Sequence, residues 1–291
     1  MQQLDHYING SMVPPASGEY LDVDEPATGS VYAQVASGNE VDVDRAVEAA
    51  TRAFHAWSSL HASARSDYLM KMAQGIEARL DAFALAEAKD CGKPVQAARA
   101  VDIPRSASNL RFFATASLHS SSEMYDFDGS GIPGGQRSIN YTLRMPRGVA
   151  GCISPWNLPL YLFTWKIAPA LATGCTVVAK PSEITPATAT MFAQVAIEAG
   201  LPPGVLNIVH GLGQRVGSAI VRHDAVPTIT FTGSTAVGSW IASTAGAKLK
   251  RMSLELGGKN AFVIFDDADI ETTISTAMRA GLSNQGQICL R

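Results

Sequence analysis

Two periodicities divide the chain. In its first part apolar positions recur at helical spacing: behind Asp42, which reads as an N-cap, Val43, Ala46, Val47, Ala50, Phe54 and Trp57 line one helix face. Further helices are predicted over 64–80, over 82–91, where Gly92 and Pro94 end the run, and over 105–119. Ahead of them, Tyr7-Ile8 and Ser11-Met12-Val13 flank Asn9-Gly10, the pair that supplies the two positive φ angles of a type I′ hairpin turn. Short strands are expected over 20–23 and 31–35.

From Val149 the pattern changes to strand, loop, helix, repeated. Strands over 149–154, 175–179, 205–210 and 228–232 alternate with helices over 158–172, 187–199, 215–222 and 236–245. Such alternation predicts an α/β fold: a Rossmann-like parallel sheet with helices on both faces, because parallel neighbours need a crossover between them. Between the two parts lies a Ser- and Gly-rich connector, Ser120 to Arg137, and an alternating run, Ile139 to Met145, that Pro146 would end. The expected organisation is a helical part over 1–119, a connector with a bridging strand over 120–147, the sheet over 148–258 and the start of a further unit over 259–291.

Composition narrows the partners. A chain of 291 residues, 46% hydrophobic and 17% charged, can bury one large core or two smaller ones. Its net charge of -3 offers no basic stripe, which argues against nucleic acid and anionic membrane surfaces. No apolar run approaches the roughly 20 residues of a spanning helix, and Met1 to His6 lacks the basic stretch and apolar core of a signal peptide. Cys91, Cys152, Cys175 and Cys289 show neither metal-ligand spacing nor a disulfide framework, so a reducing cytoplasm and no metal are expected.

In open parallel sheets ligands bind beyond the carboxyl ends of the strands, and the loops there hold the candidate chemistry. In Ser154-Pro155-Trp156-Asn157-Leu158-Pro159 two prolines fix the backbone around one amide, so Asn157 is either a rigid donor or a cap for the next helix. In Lys180-Pro181-Ser182-Glu183 a cation and a carboxylate stand ready to hold the hydroxyls of an adenosine ribose, or only to pair with each other in solvent. Two glycine loops compete for a pyrophosphate. Gly211 to Gly217 looks nearer the usual dinucleotide fingerprint, with one residue too many, whereas Phe231 to Gly238 adds hydroxyls at a helix N-terminus. Glu255, between leucines and before Gly257-Gly258, sits in an apolar neighbourhood that suits a general base, or serves as an ion-pair partner. Finally, Ser283 to Arg291 places Cys289 in a small polar turn after a helix-like run, as a nucleophile or as an inert small hydrophobe.

Taken together, Pro155-Trp156-Asn157, Lys180-Pro181-Ser182-Glu183, Gly200 to Asn207, Phe231-Thr232-Gly233-Ser234, Glu255 to Asn260 and Asn284 to Cys289 stand in the order found in NAD(P)-dependent aldehyde dehydrogenases. The chain resembles that superfamily over essentially its whole length. Asp102-Ile103-Pro104-Arg105, Asn109 to Phe113 and Trp156 to Tyr161 look most like the branch that oxidises 2-hydroxymuconic and 2-aminomuconic semialdehydes.

The resemblance implies Cys289 as nucleophile, Asn157 as oxyanion-hole amide and Glu255 as general base. It implies NAD as cofactor, held by Ser154, Pro155, Trp156, Lys180, Ser182, Glu183, Gly213, Gly217, Phe231, Thr232, Gly233, Ser234, Val237, Leu256 and Gly257, with Lys180 and Glu183 at the adenosine ribose and Ser234 at the pyrophosphate, which gives the pyrophosphate to the Gly233 to Gly238 turn against the loop nearer the usual fingerprint. The reaction implied is oxidation of a small-molecule aldehyde to its acid through a Cys289 thiohemiacetal and thioester, with Arg105 as the partner of a substrate carboxylate. Intact members form homo-oligomers. A CoA-acylating relative and a cofactor-binding remnant without turnover are the rival readings. Because the family continues well past its cysteine, a truncated member is expected, lacking most of the C-terminal catalytic domain and weakly active or inactive alone.

Overall fold

The computed structural model describes residues 1–290, so Arg291 lies outside the described residues. Strand β1 (Gln2–Leu4) precedes the hairpin of β2 (His6–Ile8) and β3 (Ser11–Val13), which turns through Asn9 and Gly10 at φ 52° and 84° as the Asn-Gly pair predicts. Strands β4 (Tyr20–Glu25) and β5 (Ser30–Ala36) join β1 in a small sheet ordered β1-β5-β4.

Helix α1 (Glu40–Ser58) begins earlier than its apolar stripe suggests. Asn39 is the N-cap, accepting from Val41 N, and Asp42 is the third helical residue, reaching back to Asn39 N. The expected cap is thus the other half of a capping box. Next come α2 (Ala62–Glu77), α3 (Leu80–Cys91), stopped by Gly92 at φ 68°, and α4 (Val95–Ala97), which runs through a π-helical turn over Ala98–Asp102 into α5 (Ile103–Ala116). The connector is not structureless: β6 (Met124–Phe127) pairs antiparallel with β7 (Ser138–Tyr141), and β7 ends before the predicted Met145.

The alternating part follows its pattern: β8 (Val149–Ile153), α6 (Pro159–Ala172), β9 (Thr176–Lys180), α7 (Ala187–Glu198), β10 (Leu206–Ile208), a π-helical turn over Gly213–Gly217, α8 (Ser218–Arg222), β11 (Thr228–Gly233) and α9 (Thr235–Gly246). An unpredicted strand, β12 (Arg251–Leu256), precedes α10 (Ile270–Leu282) and a 3-10 turn over Ser283–Gly286. The main sheet is ordered β12-β11-β8-β9-β10-β2-β3; β12 through β10 are parallel, and the N-terminal hairpin adds antiparallel through Ile208 and Tyr7.

Both faces are covered. Leu69, Ile103, Leu110, Phe163 and Phe192 fill one side and Val43, Val47, Ile220, Ile229 and Ile241 the other. Strand order turns back at β8, with β9 and β10 on one side and β11 and β12 on the other. That reversal opens a crevice at the carboxyl ends of β8 and β11. Among the described residues no helix is long and apolar enough to cross a membrane.

Candidate functional site

A cavity of about 680 Å³ lies beyond those strand ends. Its walls include Ile153, Glu183, Gly213, Gly217, Phe231 and Val237. The two glycine loops therefore do not compete: they face each other across one space. Gly233 is required by packing, since a Cβ there would sit 2.3 Å from the Phe231 ring and push it off the wall.

Lys180 donates to Glu183 Oε2 at 2.7 Å and to the Pro181 carbonyl at 3.1 Å. The pair is not a solvated one, for the Lys180 side chain is only 4% exposed and that of Glu183 28%. Burial acts to raise the Glu183 carboxyl, but the adjacent ammonium overrides it and holds the group below its ordinary value. An ionised carboxylate thus lines the cavity. Ser234 caps α9, accepting from Val237 N at 3.3 Å, and the buried hydroxyls of Ser154 and Thr232 have no hydrogen-bond partner among the described residues. Ser154, Pro155, Trp156, Lys180, Ser182, Thr232, Gly233, Ser234, Leu256 and Gly257 belong to the bordering loops and strand ends and not to the cavity wall itself.

Asn157 is tied to the turn that carries Cys289, far away in sequence. Its Nδ2 donates to the Gln287 carbonyl at 2.7 Å, and its own carbonyl accepts from Asn284 Nδ2 at 3.0 Å. Asn260 Nδ2 donates to the Cys289 carbonyl at 2.9 Å. Asn284 and Gln285 hold φ of 51° and 54°, a left-handed kink that turns the chain toward Cys289, whose side chain is exposed. Asn157 is no helix cap: Leu158 occupies the N-cap of α6 without a side-chain bond, and Glu87 Oε2 accepts from Leu160 N instead.

The model of the aldehyde dehydrogenase family matches residues 12–291. The chain belongs to the aldehyde dehydrogenase family. It is 53% identical over 287 residues to a 2-aminomuconic semialdehyde dehydrogenase of Danio rerio, covering 99% of this chain and 57% of that protein. It is 44% identical over 292 residues to a 2-hydroxymuconic semialdehyde dehydrogenase of Pseudomonas sp. (strain CF600), covering 100% of this chain and 60% of that one. It therefore spans under two thirds of the length of these relatives. An NAD+ complex structure of an aldehyde dehydrogenase from Bacillus cereus superposes with a TM-score of 0.94 at 38% identity, covering 99% of this chain and 58% of that one.

In this aldehyde dehydrogenase chain Glu255 departs from expectation. It is exposed on β12, because strand alternation turns its neighbours Leu254 and Leu256 toward the opposite, half-buried face. The apolar setting read from its flanks is not built around it. Lys166 is the charged residue of the mostly apolar α6, and no local motif marks it. It is buried, donates to Thr230 Oγ1 at 3.2 Å, and is pushed down to about 8 by burial, against the opposing pull of Cys152 and Glu255. Arg105 is exposed yet engaged: it donates to Tyr161 Oη at 2.6 Å with its guanidinium 4.0 Å over the same ring.

Glu87 gives a stability prediction. Burial raises its carboxyl from 4.5 to about 8, and Oε1 has no partner. The folded chain therefore binds the proton more tightly than the unfolded one. This contribution is fully present below pH 4.5 and is lost as pH rises to about 8. Glu87→Gln keeps an acceptor for Leu160 N and cannot ionise, so its melting temperature relative to the parent should climb between pH 5 and pH 9; a difference that stays constant with pH contradicts this.

Proposed function

We propose that this chain provides the cofactor site and the nucleophile for NAD-dependent oxidation of an aldehyde to its carboxylic acid, with carboxylate-bearing semialdehydes as the substrate class. One observation carries the reading: Asn157 joins the Cys289 turn four residues beyond Ile153, which lines the cavity. That bond ties the turn of the thiol to the loop that follows the cavity-lining end of β8.

The lining suits NAD. The Glu183 carboxylate is placed to accept from ribose hydroxyls, with Lys180 holding it, and Ser234 with the N-terminus of α9 favours a pyrophosphate. The unpartnered hydroxyls of Ser154 and Thr232 leave polar capacity for a ligand, and Ile153, Phe231 and Val237 offer apolar surface to a flat base. Pro155, Trp156, Ser182, Gly213, Gly217, Gly233, Leu256 and Gly257 complete the surrounding loops.

Cys289 thiolate adds to the aldehyde carbonyl, forming a thiohemiacetal. An amide nitrogen carries two hydrogens, and Asn157 spends only one on Gln287, leaving the other for the oxyanion beside the Cys289 N–H. NAD, when bound, supplies the hydride acceptor that thioester formation requires. Glu255, open to solvent on β12, takes the proton of the water that hydrolyses the thioester. Intact mass after incubation with a semialdehyde acid should show an acyl adduct on Cys289 only when NAD is present. An adduct that forms equally without NAD overturns the assignment.

Two further outcomes follow from the lining. A 2′-phosphate would meet the Glu183 carboxylate, so calorimetry should find NAD bound more tightly than NADP and the gap closed by Glu183→Ala; equal affinities in the parent contradict this. The Arg105 fork can leave Tyr161 for a substrate carboxylate. A hydrogen bond to a charged group contributes about 1.5 to 3 kcal/mol, so Arg105→Ala should weaken semialdehyde acids roughly 10- to 100-fold more than uncharged aldehydes. Equal losses for both classes would discredit that role.

The division at 119, 147 and 258, a cytoplasmic location and self-association belong to the same reading. Self-association is favoured by hairpin β6–β7, where Met124, Tyr125, Ile139 and Tyr141 are all exposed.

A further inference from the structure

Side chains from the end of α3 and the turn after it converge on the loop that holds Trp156 and Asn157 and on the first turn of α6. Glu87 Oε2 accepts from Leu160 N at 3.3 Å, Cys91 Sγ donates to the Trp156 carbonyl at 3.7 Å, and Lys93 Nζ makes a long bond of 3.5 Å to the Asn157 carbonyl. Trp156 and Asn157 lie outside sheet and helix, between β8 and α6. Lys93 is in turn anchored by Asp102 Oδ2 at 2.8 Å, with the two side chains only 3% and 9% exposed. Asp102 is held through its carbonyl, which accepts from Ser106 Oγ at 2.7 Å.

A buried ion pair is a weak source of stability, because desolvation offsets most of its attraction, and its geometry is what it adds. Here that geometry ends on one atom. The Asn157 carbonyl takes Lys93 from one side and Asn284 from the other, while the Asn157 amide reaches Gln287 in the nucleophile turn. We propose that the buried Lys93–Asp102 pair is a positioning device for Asn157, fixing its backbone so that the amide points at the oxyanion formed on Cys289. The inference rests on the reading of Asn157 as the oxyanion donor, through whose carbonyl the pair acts.

The test separates attack that creates an oxyanion from attack that does not. Acylation of Cys289 by p-nitrophenyl acetate passes through a tetrahedral oxyanion before nitrophenolate leaves, whereas alkylation by iodoacetamide displaces iodide at a saturated carbon. The ratio of the two rates in the full chain, with Cys289→Ala giving the background, reports the oxyanion site. Lys93→Met combined with Asp102→Leu removes both charges of the pair, so neither partner is left with an uncompensated charge in the core. That pair variant is expected to lower the ratio roughly 10- to 100-fold, as a displacement of about 1 Å would, with the alkylation rate unchanged. Adding Asn157→Ala should cost nothing beyond Asn157→Ala alone. Asp102→Asn, a milder change, should move the ratio in the same direction. An unchanged ratio, equal loss of both rates, or losses that multiply with Asn157→Ala would overturn the proposal. If Asn157→Ala alone leaves the ratio intact, the oxyanion reading of Asn157 fails, and the positioning role fails with it.

Discussion

Replacing Cys289 by alanine is expected to remove acylation of the chain by an activated ester, a loss on the order of 10⁴-fold or more, as when the nucleophile of a covalent mechanism is deleted. The other thiols cannot take over. Burial pushes Cys152 up to about 12 and raises Cys91 further still, so their thiolate fractions at neutral pH are negligible. Cys175 is half-buried beside the buried β9, away from the loops that border the cavity. Cys289 is the exposed cysteine, at the turn that Asn157, Asn260 and Asn284 hold. Mass spectrometry of ester-treated parent and variant checks the prediction directly. An acyl group of equal yield on the variant would remove Cys289 from the mechanism.

The second large effect is expected at Asn157. Asn157→Asp keeps the size and shape of the side chain but exchanges a donor for a carboxylate. The amide hydrogen that meets the Gln287 carbonyl at 2.7 Å is lost, and so is the one left for the oxyanion. Removing one oxyanion donor costs about 2.7 to 4 kcal/mol, so acylation of Cys289 should slow roughly 100- to 1000-fold. The like charge of the carboxylate adds to that loss. Alkylation by iodoacetamide should change far less. Parallel loss in both reactions would mean that Asn157 matters only for the shape of the turn.

What could be read from the chain was set by local chemistry. Asn9-Gly10 specifies its own hairpin, so that turn was legible from neighbouring residues. The strand and helix alternation after Val149 likewise follows from short-range pattern. Long-range pairing was not legible. Nothing near Tyr7 announces that it will meet Ile208 and extend the main sheet, and the Ser and Gly content of the connector hides Met124 to Phe127 as a strand. The exposure of Glu255 was not legible from its flanking leucines, because a two-residue period sends them to the other face of the strand. The Lys93–Asp102 pairing and the burial of Lys166 were hidden for a related reason: the partners lie on other elements, and a buried charge shows its meaning only when those elements meet.

The glycine loops illustrate both sides. As isolated motifs Gly211 to Gly217 and Phe231 to Gly238 are rivals, yet strand order places them on opposite walls of one cavity. That shared cavity offers the most direct test. Calorimetric titration of NAD into the parent chain and into Val237→Trp, whose indole would fill the space between the loops, decides it. The account predicts saturable NAD binding to the parent and its loss in Val237→Trp with the far-ultraviolet circular dichroism retained. No binding to a folded parent, or undiminished binding to Val237→Trp, would contradict it.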